Sequence, residues 1–236
     1  MADPFGRAIE DHLRGERTAP LLQHARDSTQ DHPIEQFYFD GFDPASDGDA
    51  FLLEGVDGPL LDVGAGAGQH ALALQDRHAV TGLEVSDALV ETMRERGVAD
   101  ARRGDLFALR EAVDRRDFAS VLVVGTQIGL ATTVSELEAV FEAFGAVTRP
   151  DATVVLDAYD PDAADAADLF GYREVHGVPV REFSFEYEGE VGETLRVRLY
   201  RPAAIAAAAE ATGWSVVDSV RPAATDRYVR YALESA

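Results

Sequence analysis

Residues 60–72 read LLDVGAGAGQHAL, a short apolar run, then three glycines each one residue apart, then a helix-like segment. No other stretch constrains the chain as much. Leu60–Val63 has the length of one buried strand, and the glycines that follow let a ligand approach the backbone. Such an approach needs a residue without a Cβ, and a turn this tight needs positive φ. A helix that starts directly after the loop points its free N–H groups at whatever binds there. The unit therefore predicts a strand, a ligand-binding loop and a helix in that order, the opening of an α/β fold that grips a nucleotide.

The alternation continues. Gln69–Arg77 reads as a helix, Ala79–Glu84 as a strand, and Ser86 caps a helix over Asp87–Arg96. A short strand at Ala99–Arg102 leads to Gly104-Asp105, and Phe118–Val124 is a strong apolar strand. Ser135–Val147 places Leu137, Val140, Phe141 and Phe144 on one helical face, and Thr153–Ala158 is the next strand. Strands alternating with helices imply a doubly wound, mostly parallel sheet with helices on both faces.

The two flanks differ. Before the core, Phe5, Ile9 and Leu13 fall at helical spacing, Leu21-Leu22 begins a second short segment, and Gly41–Gly58 is loop-prone with a helical turn at Ala50–Leu53. After it, Val180–Tyr187 and Leu195–Tyr200 alternate apolar and polar residues about a turn at Glu188–Gly192, an antiparallel hairpin. A helix at Ala203–Ala211 and strands at Trp214–Val220 and Tyr228–Leu233 close the chain. The expected organisation is a single domain over 1–236. Its parts are a helical extension or cover at 1–58, a ligand-binding core at 59–160, a hairpin insert at 172–201 and the rest of the sheet at 202–236.

Composition narrows the chemistry. The chain has no cysteine, which excludes disulfides, cysteine nucleophiles and cysteine-held metals. No run approaches the roughly 18 apolar residues of a membrane span, and the N-terminus lacks a signal-peptide pattern, so the expected location is the cytoplasm. The net charge is −22, and every basic residue is an arginine. A surface that acidic repels phosphate backbones, which makes nucleic acid an unfavoured partner. Acidic excess, missing lysine and abundant alanine resemble proteins of salt-loving archaea.

The glycine loop departs from a dinucleotide site. Such sites read G-x-G-x-x-G, whereas Gly64, Gly66 and Gly68 give G-x-G-x-G and Gln69 stands where the last glycine would be. Asp62 precedes the loop; its charge does not suit a pyrophosphate and suits an ammonium. Asp62-x-Gly64-x-Gly66-x-Gly68 resembles the first motif of class I S-adenosylmethionine-dependent methyltransferases. Glu84, twenty residues after Gly64, stands where that family places an acid on the ribose hydroxyls. Gly104-Asp105-Leu106 resembles its third motif, whose acid meets the adenine amino group. Val121–Gly125 with Thr126-Gln127 stands at the fourth. Arg149-Pro150-Asp151-Ala152 resembles its R-P-G-G turn with both glycines replaced.

The resemblance implies a Rossmann-like sheet of seven strands, the last antiparallel, and S-adenosyl-L-methionine as cofactor. It assigns Asp62, Gly64, Ala65, Gly66, Gly68, Glu84, Val85, Asp105, Leu106, Thr126 and Gln127 to the cofactor, with no metal. No Asp/Asn-Pro-Pro-Tyr/Phe stands at Val124–Gly129, which disfavours methylation of adenine or glutamine nitrogen and leaves a small-molecule acceptor, a metabolite or lipid precursor, ahead of a protein or RNA position. Tyr38, Gln127, Tyr159 and Arg173 are the candidate acceptor contacts, with Tyr38 closing over the cofactor. Phe37, Phe183 and Phe185 are better read as core, and His70, in the first helical turn, as positional. Tyr172-Arg173 and His176 read as a loop ahead of the hairpin. No residue stands out as a catalytic base. Two other readings remain, a nicotinamide-dependent oxidoreductase and a non-catalytic cofactor-binding scaffold.

Overall fold

The computed structural model describes residues 2–26, 28–113, 117–222 and 227–235. The chain opens with α1 (Pro4–Arg14), β1 (Leu22–Ala25), β2 (Ser28–Asp31), a π-helical turn at Glu35–Phe39 and α2 (Asp47–Gly55). The alternating part comprises β3 (Leu60–Val63), α3 (Gln69–Leu74), β4 (Val80–Glu84), α4 (Asp87–Arg96), β5 (Ala101–Arg103), α5 (Leu109–Ala112), β6 (Phe118–Val123), α6 (Val134–Val147) and β7 (Thr148–Tyr159). There follow β8 (Tyr172–Val175), β9 (Val178–Tyr187), β10 (Glu190–Val191), β11 (Leu195–Arg198), α7 (Pro202–Ala211), β12 (Trp214–Val220) and β13 (Tyr228–Ser235).

Seven strands form one sheet in the order β12-β13-β7-β6-β3-β4-β5. Neighbours from β7 to β5 are parallel, and β13 is antiparallel to both β7 and β12, so it alone runs against the rest. The chain leaves β3 toward β5 on one side and returns to β6 and β7 on the other. That reversal opens a crevice beyond the C-terminal ends of β3 and β6. Successive residues on a strand face opposite sides: Leu61, Val63, Val121 and Val123 pack with Phe141, Phe144 and Trp214, while Leu60, Leu122 and Val155 pack with Leu52, Ala71 and Met93. Both faces are covered, which is why the strands read as unbroken apolar runs. The doubly wound, mostly parallel sheet of seven strands with its last strand antiparallel, expected from the sequence, is the observed one.

The flanks depart from the expectation. The segment from Leu22 is not helical but a hairpin, β1–β2, and it pairs through β1 with β9. Tyr172–Val175 is a strand on β9, not a loop. The hairpin around Glu188 (φ 52°) and Gly189 (φ 80°) is present, and β9 is the centre of an antiparallel six-stranded sheet that also holds β1, β2, β8, β10 and β11. Phe183, Phe185 and Tyr187 on its inner face pack with Ile9, Leu21, Ile34, Leu89 and Ala67 of the glycine loop. The N-terminal extension and the insert are therefore one structure, a second sheet laid over the loop. Around Ala50, a full helix (α2) replaces the single turn; Ser46 caps it by accepting from the Asp49 N–H at 3.2 Å. Among the described residues no helix is long and apolar enough to cross a membrane.

Candidate active site

The glycine loop follows β3 at the reversal point. Asp62, on β3, is buried; it accepts from the Ala71 backbone N–H, and its Oδ2 has no partner among the described residues. Burial, helped by the charge of Glu84, pushes its pKa up to about 7. A buried acceptor without a donor calls for a cation or a donor from a ligand.

The three glycines have φ of 70°, 57° and 81°, but two of them are bare for different reasons. A Cβ on Gly68 would lie 2.7 Å from Val98 Cγ2 and 2.9 Å from Met93 Cγ, so this glycine lets the loop pack on α4 and the turn after it. A Cβ on Gly66 would meet nothing nearer than the Tyr38 ring at 3.8 Å. Its bareness serves no packing within the protein and leaves a cradle.

Glu84 ends the neighbouring strand and is buried. Its Oε2 accepts from the Gly66 N–H at 3.0 Å and its Oε1 from the Val85 N–H at 2.7 Å. Burial raises its pKa against the pull of these bonds. Asp105, at the end of the next strand, is exposed; its Oδ1 accepts from the Phe107 N–H at 2.9 Å. Leu106 is buried, yet Val85 and Phe107 are 58 % and 50 % exposed. Two large apolar side chains thus stand bare on adjacent strand ends beside the carboxylates.

Across the crevice, the loop after β6 carries Thr126 at φ 59°, a costly conformation for a β-branched residue. Buried Asp157 on β7 holds it there by accepting from the Gly125 N–H at 3.2 Å and from the Thr126 N–H. Gln127 lies so close over Gly64 that a Cβ there would sit 2.8 Å from its Cδ.

The cover is sewn to the loop. Arg96 at the end of α4 donates to the carbonyls of Tyr38 (2.9 Å) and Ala67 (2.7 Å), and Gln69 donates to the Asp40 carbonyl at 2.7 Å. Tyr38 faces Gly66 and shares a 2.9 Å hydrogen bond with His32 Nε2. Burial, with the charge of Arg181, pushes the His32 pKa down to about 4, so the ring is neutral. Tyr159, at the end of β7, accepts from Arg181 Nη1 at 2.8 Å.

Residues 60–151 match the family described as a methyltransferase domain. The chain has the fold of a class I methyltransferase. A SAM-dependent methyltransferase from Bacteroides fragilis, solved with S-adenosyl-L-homocysteine, is 24 % identical, covers 99 % of this chain and 95 % of its own, and superposes with a TM-score of 0.79. The CcbJ methyltransferase from Streptomyces caelestis is 18 % identical over 79 % of this chain and 87 % of its own, with a TM-score of 0.62. An amino pentose methyltransferase from Micromonospora echinaspora involved in calicheamicin biosynthesis is 20 % identical over 75 % and 83 %, with a TM-score of 0.56. No curated protein matches the sequence.

In this methyltransferase fold, the residues singled out from the sequence gather around the reversal point: Asp62, Gly64, Ala65, Gly66 and Gly68 on the loop, Glu84 and Val85, Asp105 and Leu106, and Thr126 and Gln127 on the three strand ends beside it. Tyr38 stands over the loop. Arg173 does not join them. It lies on β8, and its guanidinium pairs with Glu182, which alternates with Arg181 and Phe183 along β9. Sequence reasoning missed Phe107, Arg96, Asp157 and Arg181. Phe107 had a signal, an aromatic directly after Asp105-Leu106. The two arginines had none, because their roles depend on which segments fold over the loop.

Proposed function

We propose that the protein transfers the methyl group of S-adenosylmethionine to a small molecule. The observation that carries this reading is the unpartnered, buried Oδ2 of Asp62 beside the bare Gly66: a hidden acceptor next to an open backbone cradle suits a ligand with an ammonium group and a bulky body. Asp62 would meet the ammonium and Gly64, Ala65, Gly66 and Gly68 the ligand's main body. Glu84 would take the ribose hydroxyls and Asp105 the adenine amino group. Val85, Leu106 and Phe107 offer the apolar flanks an adenine needs. Thr126 and Gln127 would face the reacting end.

S-adenosylmethionine would supply a methyl already activated on a sulfonium. What is asked of the chain is then to align an acceptor atom with it, and proximity and orientation alone are worth up to about 7–11 kcal/mol. Tyr38, fixed by Arg96 and His32, closes the loop against water. Tyr159 and Gln127 stand where an acceptor would enter. The match to an amino pentose methyltransferase favours a metabolite-sized acceptor, and the charge of −22 disfavours nucleic acid. The lysine-free, acid-rich composition fits a haloarchaeal protein working in a salty cytoplasm.

Calorimetry at high salt tests the reading. S-adenosylmethionine and S-adenosylhomocysteine are expected to bind with one-to-one stoichiometry, and NADH is not. Binding of NADH alone would replace methyl transfer with hydride transfer. Cofactor binding without transfer into any fraction of a cell extract would mark a scaffold.

A further inference from the structure

We infer that the acceptor carries a carboxylate and that Arg181 binds it. Arg181 lies on β9 and shares the inner face of the second sheet with Phe183 and Phe185, opposite to Glu182. Its guanidinium lies over the rings of Tyr159 and Phe183, 4.9 Å from each centroid. Nε donates to the Phe170 carbonyl at 2.9 Å and Nη1 to the Tyr159 hydroxyl at 2.8 Å. A guanidinium has five N–H donors, and those on Nη2 meet no acceptor among the described residues.

No carboxylate pairs with Arg181 among the described residues, in a chain that has 43 acidic residues and 21 basic ones. Its sheet neighbours Arg173 and Arg196 share Glu182 on the other side. Two carboxylates near the crevice are engaged, Asp157 by the Gly125 and Thr126 N–H groups and Glu84 by those of Gly66, Val85 and Ser86, and Asp62, whose Oδ2 is unpartnered, lies on β3 under the glycine loop with no ion pair to Arg181. His32, which feels the Arg181 charge, is neutral. A half-buried cation is therefore left with aromatic walls, free donors and no counterion, a costly state that an incoming anion relieves.

The shape of the group selects the anion. A guanidinium is planar, and with Nε and one Nη1 N–H taken, the second Nη1 N–H and an Nη2 N–H remain as the parallel donor pair that a planar carboxylate accepts. The place selects the role. Tyr159 ends β7 beside the Asp157-held loop, and Tyr38, whose hydroxyl bonds His32, covers Gly66. Arg181 thus lies along the wall that continues from the cofactor cradle, where an acceptor would rest. The word acceptor rests on the methyl-transfer reading, whereas the anion site does not.

Equilibrium dialysis of radiolabelled benzoate, benzamide and inorganic phosphate, against the protein alone and loaded with S-adenosylhomocysteine, tests this. Benzoate is expected to bind in preference to the other two. Arg181→Gln should weaken it by roughly 10- to 100-fold, the worth of a charge-assisted pair. Arg181→Lys, which keeps the charge and loses the fork, should fall between. Circular dichroism and thermal melts matching the parent in both variants show that they are folded. Equal binding of benzamide, preference for phosphate, absence of benzoate binding, or benzoate binding that ignores Arg181 each overturns the inference. If benzoate binds through Arg181 and S-adenosylhomocysteine does not bind at all, the anion site stands and the methyl-transfer reading falls.

Discussion

The two sheets hold their polar groups in different ways. On the parallel sheet the carboxylates are held by backbone N–H groups: Glu84 by those of Gly66, Val85 and Ser86, Asp157 by two at the next loop, Asp105 by one at its own turn, and Asp62 by that of Ala71, which leaves its Oδ2 open. On and beside the antiparallel sheet the groups lean more on other side chains: Arg181 on Tyr159 and Phe183, with one donor to the Phe170 carbonyl, and His32 on Tyr38 and Phe185. Backbone pinning fixes a carboxylate whatever the neighbouring side chains become, as suits a cofactor whose shape never changes. A wall of side chains can be re-cut residue by residue, as suits an acceptor.

The largest effect expected from this contrast is on the parallel side. Gly68→Ala puts a Cβ 2.7 Å from Val98 and into a positive φ, and overpacking plus the wrong backbone region should cost roughly 2–4 kcal/mol of stability. Gly66→Ala has the same backbone cost and open space around it, so it should cost only about 1 kcal/mol and lose cofactor affinity instead. Thermal melts with and without S-adenosylhomocysteine separate the two. Equal melting losses would mean that Gly66 is a packing glycine as well.

Glu84→Ala comes next. A carboxylate bonded to ribose hydroxyls is worth enough for S-adenosylhomocysteine affinity to fall roughly 10- to 100-fold, while benzoate binding at the other sheet stays put. Unchanged cofactor affinity in calorimetry would remove the ribose assignment.

The contrast also explains what could be read from the sequence. The parallel strands are buried on both faces, so Leu60–Val63 and Phe118–Val123 announce themselves as apolar runs, and the ligand loop announces itself by glycine. The second sheet hides. The inward residues of β1 are Gln23 and Ala25, and β2 is exposed throughout, so neither carries the apolar alternation that marks a strand; β1 forms on the partner edge that β9 supplies, and β2 forms on β1. Arg96, Gln69 and Arg181 acquire their roles only when that sheet lies on the loop. Asp151 shows a smaller case: it takes φ 61° at a bulge in β7 rather than in a turn, at a position where the family's motif has glycine, a conformation an aspartate tolerates.

Asp62→Asn gives a moderate effect with a pH signature. An acid raised from 3.8 to about 7 in the folded chain holds a proton that the unfolded chain has released, so it makes stability fall as pH rises through that window. The asparagine variant should therefore gain melting temperature over the parent as pH goes from about 5 to about 8. Binding behaves in the opposite sense. An ammonium favours the ionised carboxylate, so parent affinity should drop as pH falls below about 7, with proton release measurable by calorimetry in two buffers. Asparagine should bind roughly tenfold more weakly at neutral pH and show no such slope. A slope that survives the substitution would assign the titration to another group.

The smallest effect is expected where the two sheets meet. Tyr38→Phe keeps the ring that covers Gly66 and removes the hydroxyl that bonds His32. Cofactor affinity should then change by less than about threefold, and stability should fall by about 0.5–1.5 kcal/mol because the His32 nitrogen loses its partner. Tyr38→Ala removes the cover itself and should weaken the cofactor more than the phenylalanine does. If phenylalanine and alanine weaken it equally, the hydroxyl rather than the ring makes the contact. Tyr38 would then be grouped with the polar groups that hold ligand, and the division between a backbone-pinned cofactor side and a side-chain-built acceptor side would break at this residue.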